Sequence, residues 1–140
     1  MDIEEAKNKL GGEFSFVFDD IINPVIQLLG LDKNSKILDV GTGKGKMTIS
    51  LALNEYKVIT GEPEPDNSEY AKQEWLEDAK LVNVDDLITF QAFNAEKMPF
   101  DDNYFEVIFL MGAFHHIDDK VSVFNECIHT VKKKRNYLYH

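Results

Sequence analysis

The stretch from Ile37 to Thr48, ILDVGTGKGKMT, gathers the residues of this chain best suited to chemistry on a small ligand. Asp39 sits near the end of an apolar run. Gly41, Gly43 and Gly45 follow at alternate positions, with Thr42, Lys44 and Lys46 interleaved. Glycines so spaced let backbone approach a ligand at close range and take φ values that a β-carbon forbids. Seventeen residues beyond Gly45 stands Glu62, placed to accept hydrogen bonds from both hydroxyls of a ribose. Farther on, MGAFHHIDD carries the adjacent pair His115 and His116. An imidazole titrates near neutrality, so either histidine suits general-base work. The non-catalytic alternative is one histidine in solvent and the other capping the following helix. No further ligands stand at metal-binding spacing around the pair, and no metal is expected.

Three ligand classes compete for the glycine turn. A phosphate-binding P-loop needs a glycine where Val40 stands and a hydroxyl where Met47 stands, and it fails at both. The dinucleotide fingerprint G-x-G-x-x-G fits Gly41 and Gly43 but meets Lys46 at its third glycine. That weakens a nicotinamide-dependent oxidoreductase without removing it. An acid two places before the alternating glycines repels pyrophosphate and suits a ligand carrying an ammonium and a sulfonium. S-adenosylmethionine is such a ligand.

The elements that must position these residues are legible in the hydrophobic pattern. Two helical segments open the chain, the second around DDIINPVIQLLGL with Gly30 as C-cap. Lys36–Val40 reads as a buried parallel strand, and KMTISLALNEY as a helix with Met47, Leu51 and Tyr56 facing the core. Lys57–Thr60 is a second strand, DNSEYAKQEWLEDAKL a helix, and Leu87–Phe93 a third strand. Tyr104–Phe114 is a fourth, expected to be central because it is so apolar. A helix capped by Asp118 or Asp119 runs through KVSVFNECIHTVKK, and NYLYH is a fifth strand. Strands alternating with helices indicate an α/β domain with a mostly parallel sheet. Ligands bind such sheets at the carboxyl ends of the strands, where Asp39, Glu62, Asn94 and Met111 fall. Phe14, Phe16 and Phe18 alternate ahead of the first strand, as a lid on that pocket or as core.

At 140 residues and 44% hydrophobic content the chain reads as one globular domain, with residues 1–35 as N-terminal helices and 36–140 as the sheet-bearing core. Its net charge of −10 argues against nucleic acid as a partner, since KKKR at Lys132–Arg135 reads as a solvated helix end. The lone Cys127 forms no intramolecular disulfide and reads as a half-buried helix thiol. No apolar run reaches membrane-spanning length and the acidic N-terminus is no secretory signal, so the expected location is cytoplasmic, without membrane attachment.

With these pieces in order, the chain resembles a class I S-adenosylmethionine-dependent methyltransferase, of the small-molecule branch similar to methyltransferase type 11. Four stretches carry the resemblance, from about Lys36 to Lys134. LDVGTGKG matches the family's first motif. Glu62 with Ala71 nine residues on matches the second. NAEKMPFDDNYFE follows the third without a gap, and MGAFHHIDD is similar to the segment after the fourth strand. The resemblance implies a Rossmann-like three-layer sandwich, here C-terminally short at about five strands instead of seven. It implies that Asp39 and the backbone of Gly41, Thr42, Gly43 and Gly45 face the methionine part of S-adenosylmethionine. Glu62 would hold the ribose, and Pro63, Asn94 and Ala95 would lie at the adenine. The Met111 carbonyl would sit near the methionine amine, and His115 and His116 nearest the methyl group and its acceptor. Asn94 stands where the family usually has an acid, Glu106 where it has Asp, and Lys44 where a small or hydroxylated residue is common. The implied reaction is methyl transfer, with a small-molecule acceptor favoured because Asp/Asn-Pro-Pro-Tyr is missing after the fourth strand. A non-catalytic S-adenosylmethionine-binding module is the alternative. The short sheet further predicts a homodimer, or a partner covering the exposed edge.

Overall fold

The computed structural model describes residues 2–62, 75–110 and 118–132. Helix α1 (Ile3–Leu10) is capped by Asp2, whose side chain accepts from the Glu5 N–H at 2.8 Å. A second helical run follows without a break, as α2 (Gly12–Phe16), a π-helical turn (Val17–Ile22) and α3 (Asn23–Leu29). Pro24 accounts for the π turn. It offers no N–H to the preceding turn and its ring crowds the carbonyl four residues back, so the helix widens just before it. Gly30, in the left-handed region at φ 61°, closes the run with its N–H on the Ile26 carbonyl, as expected.

The helix begins earlier than its hydrophobic spacing suggests, and this settles the three phenylalanines. Phe14 and Phe18 lie one turn apart and are buried together, their ring centroids 5.9 Å apart. Phe16, on the opposite side, is 57% exposed.

Four parallel strands form the sheet: β1 (Ile37–Val40), β2 (Val58–Gly61), β3 (Ile88–Phe90) and β4 (Val107–Phe109), in the order β3-β2-β1-β4. Registers pair Asp39 with Thr60 and Phe109, and Val40 with Gly61. β1 is buried at every residue because both faces are covered. On one face Ile37 and Val58 pack with Ile22 and with Leu51 of α4 (Lys46–Leu53). On that side α4 also meets α5 (Trp75–Leu81) through Ile49, Ala52, Trp75 and Ala79. On the other face Leu38 and Val40 pack with Phe93, Met98, Phe105 and Val123 of α6 (Lys120–Thr130). These are the three layers that strand–helix alternation predicts.

β4 lies at the end of the described sheet, with β1 and β2 inside it; its Val107 and Phe109 pack on the side of Ile22 and Leu51, and Ile108 on the side of Val123 of α6. Its approach is flanked by a single parallel bridge, Phe105 to Val131, where the chain returns after α6. That return also shortens the last helix to Thr130. Lys132 therefore lies past the helix end, its N–H on the Phe105 carbonyl and its amine 3.1 Å from Glu106. The expected strand NYLYH and the first half of the helix before Leu81 lie outside the described residues. Among the described residues no helix is long and apolar enough to cross a membrane.

Candidate functional site

The carboxyl ends of β1 and β2 meet the start of α4 through the glycine turn. Gly41 donates its N–H to the Gly61 carbonyl at 2.9 Å, and Gly45 closes the turn on the Thr42 carbonyl at 2.9 Å. Gly45 has φ +83°, and a β-carbon there would stand 2.6 Å from Trp75 Cβ, so no side chain fits. The third glycine of the turn thus serves close packing of α4 on α5.

Asp39 reaches this region from inside. It is 1% exposed and its Oδ2 has no hydrogen-bond partner. Burial pushes its carboxyl up to about 7. The neighbouring Thr48 hydroxyl opposes the rise, the Glu62 charge adds to it, and Thr60 opposes it again. Thr48 Oγ1 is close enough to act on the carboxyl but falls short of hydrogen-bonding geometry, leaving two adjacent buried polar groups under-satisfied.

Glu62 is set by the same turn. Its Oε1 accepts the Gly43 N–H at 2.8 Å, which fixes the carboxylate at the end of β2. Its carbonyl accepts from Phe93 at 3.1 Å, bringing the exit of β3 alongside. Gly61 makes this possible, because a β-carbon there would lie 1.8 Å from the Gln91 carbonyl oxygen. Asn94 and Ala95 follow directly. Asn94 is exposed, and its Oδ1 accepts from the Glu96 N–H at 2.8 Å, which anchors the turn to Lys97. One lone pair of that amide oxygen remains for a ligand donor.

Thr42 contributes differently from its glycine neighbours. Its side chain is buried, and its hydroxyl lies 2.9 Å from that of Thr60. Thr60 spends its single proton on the Asp39 carbonyl at 3.0 Å, so Thr42 must be the donor to Thr60. The turn is thereby tied down onto β1 and β2, and Thr42 offers a ligand its backbone only. Sequence reading overlooked Thr60, Thr48 and Gly61. Alternation along VITGE was the available signal for Thr60, since it puts Ile59 and Gly61 on one face and Thr60 on the other.

Glu106 is a structural residue. It accepts from the Lys36 N–H at 3.1 Å and pairs with Lys132, joining the starts of β1 and β4 far from the turn. Cys127 is half-buried on α6, with its thiol raised to about 11 by burial and then by Glu126. Pro63, Met111, His115 and His116 lie outside the described residues.

Residues 38–137 match the family described as "Methyltransferase domain". The chain is 31% identical over 104 residues to the cycloartenol-C-24-methyltransferase of Arabidopsis thaliana, covering 74% of this chain and 30% of that one. It is 31% identical over 107 residues to the ribosomal RNA small subunit methyltransferase A of Mesoplasma florum, covering 74% and 39%. The chain therefore spans well under half the length of these curated relatives. Among solved structures it is similar in fold to a SAM-dependent methyltransferase from Aquifex aeolicus. The TM-score is 0.66 at 22% identity, with 94% of this chain and 68% of that one covered.

Proposed function

This chain belongs to the class I S-adenosylmethionine-dependent methyltransferase family, and from that premise we propose that it transfers a methyl group from S-adenosylmethionine to a small-molecule acceptor. The observation that carries the reading is the contact between Gly43 and Glu62. It joins the glycine turn to the ribose-binding acid at the ends of two adjacent parallel strands. The residues present fit the cofactor. A buried carboxyl with an unpartnered oxygen lies beneath the turn and suits a cationic ligand, while a diol suits the anchored carboxylate of Glu62.

When bound, S-adenosylmethionine supplies a methyl carbon made electrophilic by its positive sulfur. Glu62, held by Gly43, would accept from the ribose hydroxyls and so orient the bound cofactor. Asp39 would supply negative charge under the turn toward the ligand's positive groups. Asn94 and Ala95 would meet the adenine, and the family resemblance gives Pro63 to its face and the Met111 carbonyl to the amine. The acceptor atom must stand about 3–3.5 Å from the methyl carbon and in line with the breaking bond, which is where most of the acceleration arises. His115 or His116 would take up the acceptor's proton where it carries one that must leave.

A small-molecule acceptor agrees with the net charge of −10 and with the relative named for cycloartenol. A ribosomal RNA acceptor is the second reading, favoured by the relative named for that substrate. Thermal shift with S-adenosylmethionine, S-adenosylhomocysteine and NAD tests the cofactor. Ligand at a hundred times its dissociation constant stabilises by about 2.7 kcal/mol, and no response to either sulfur compound sinks the reading. Tritiated methyl transfer to small molecules or to small-subunit ribosomal RNA separates the two acceptors. Cofactor binding without transfer to any of them points instead to a binding module.

A further inference from the structure

Lys44 and Lys46 flank Gly45, and holding an adenosyl ligand requires neither. The Lys46 Nζ forms an ion pair with Glu13 of α2. Lys44 is exposed, and its charge also acts on Glu13. Glu13 is held below the usual carboxylate range first by its hydrogen bond to Lys46, then by the charges of Lys46 and Lys44. Two cations thus face one carboxylate, a local excess of positive charge on a chain whose net charge is −10. Beside them opens a hollow of about 440 Å³ lined by Gly12, Glu13, Phe16, Val17 and Lys46. Gly12 brings no side chain into it, and nothing stands within 4 Å of where its β-carbon would be. Phe16 is 57% exposed, whereas Phe14 and Phe18 of the same helical run are buried. The volume lies in the range of small-molecule sites, and the lining joins an apolar wall to the Lys46–Glu13 ion pair.

We propose that this hollow binds an amphipathic small molecule with an anionic head group. Its apolar body lies on Phe16 and Val17, and its head takes the place of the Glu13 carboxylate on Lys46, with Lys44 alongside. The hollow adjoins the end of the glycine turn through Lys46 and uses none of the residues assigned to the adenosyl ligand. A cationic head group is repelled by Lys46, and a neutral one gains nothing from it.

Calorimetric titration with decanoate, decanol and decylamine, each below its micellar concentration, tests the site, with S-adenosylhomocysteine titrated in parallel. Decanoate is expected to bind at least about tenfold more tightly than the other two. Glu13→Gln strengthens decanoate binding severalfold, because the internal competitor loses its charge. Lys46→Gln and Phe16→Ser each weaken it by about tenfold, while S-adenosylhomocysteine affinity changes little in the Phe16 variant, which also shows that this variant folds. Equal affinity for all three amphiphiles overturns the proposal, as does decanoate binding indifferent to Phe16→Ser, which marks adsorption elsewhere. S-adenosylhomocysteine binding without decanoate binding removes the hollow and leaves the methyl-transfer reading standing. Selective decanoate binding without S-adenosylhomocysteine binding upholds the anion site and removes that reading.

Discussion

At the scale of single residues, Asp39 trades stability for binding. Its carboxyl is buried, one oxygen has no partner, and the charge acting on it is another carboxylate, Glu62. Its folded pKa of about 7 lies above the ordinary value of 3.8, so the folded chain keeps this proton while the unfolded chain releases it. Between those two values each rise of one pH unit costs the empty protein about 1.4 kcal/mol, and the loss is complete above the folded pKa. Asp39→Asn is therefore expected to raise the melting temperature of the empty protein at pH 8 and to match wild type near pH 4. The same substitution should weaken S-adenosylhomocysteine binding at pH 8 by about tenfold, as the attraction for a cation disappears. Melting curves and calorimetry across that pH range check both signs. An unchanged affinity removes the role given to Asp39.

Thr60 acts through its neighbours. Thr60→Val keeps the shape but leaves the Asp39 carbonyl and the Thr42 hydroxyl without their partner. This costs about 1–3 kcal/mol of stability and loosens the turn that carries Gly43 and Glu62. Cofactor affinity should fall with it, and Thr60→Ser should restore both. A Thr60→Val protein that loses stability but binds cofactor normally shows that the hydroxyl chain supports the core alone.

Among the elements, β2 and β3 meet at a point where only glycine is tolerated. A β-carbon on Gly61 would overlap the Gln91 carbonyl oxygen at 1.8 Å, and that backbone atom has no side-chain freedom with which to yield. Gly61→Ala should separate the strand ends, break the Glu62–Phe93 backbone bond, and destabilise the fold by roughly 2–4 kcal/mol. Urea denaturation measures that loss. A second junction, on α6, shows how helices hold loops near the site. His129 has Asp102 at 2.7 Å from one ring nitrogen and Glu126 at 2.9 Å from the other, and two carboxylates call for an imidazolium donating to both. Glu126 also accepts the Met98 N–H at 2.5 Å, so α6 clamps the loop that follows Asn94 and Ala95.

For the whole molecule, the sheet leaves the outer side of β3 without a strand partner among the described residues, and β4 has only the bridge at Phe105 beside its approach. Open edges pair readily, and α6 adds Val121, Phe124 and Ile128, which are 70%, 50% and 57% exposed on a shared side of the helix. Self-association through these surfaces is the expected outcome. A single monomeric species by light scattering at high concentration would falsify it.

The sequence by itself determined the parallel α/β order, the strand ends that carry Asp39 and Glu62, and the cationic character of the ligand. Each of these follows from local information, such as apolar runs that end in acids and glycines at alternate positions. Tertiary structure decided what local pattern does not encode. It chose what covers each face of β4: Val107 and Phe109 pack with Ile22 and Leu51, and Ile108 lies on the side of Val123 of α6. It also divided three alternating phenylalanines between core and surface, since Pro24 widens a continuous helix rather than ending it. Thr42 turned inward because Thr60, eighteen residues away, needs a donor after giving its own proton to Asp39. Lys46 was drawn to Glu13, thirty-three residues earlier, by packing of α2 beside α4. Contacts between distant residues assign those roles, and a one-dimensional pattern carries no record of them.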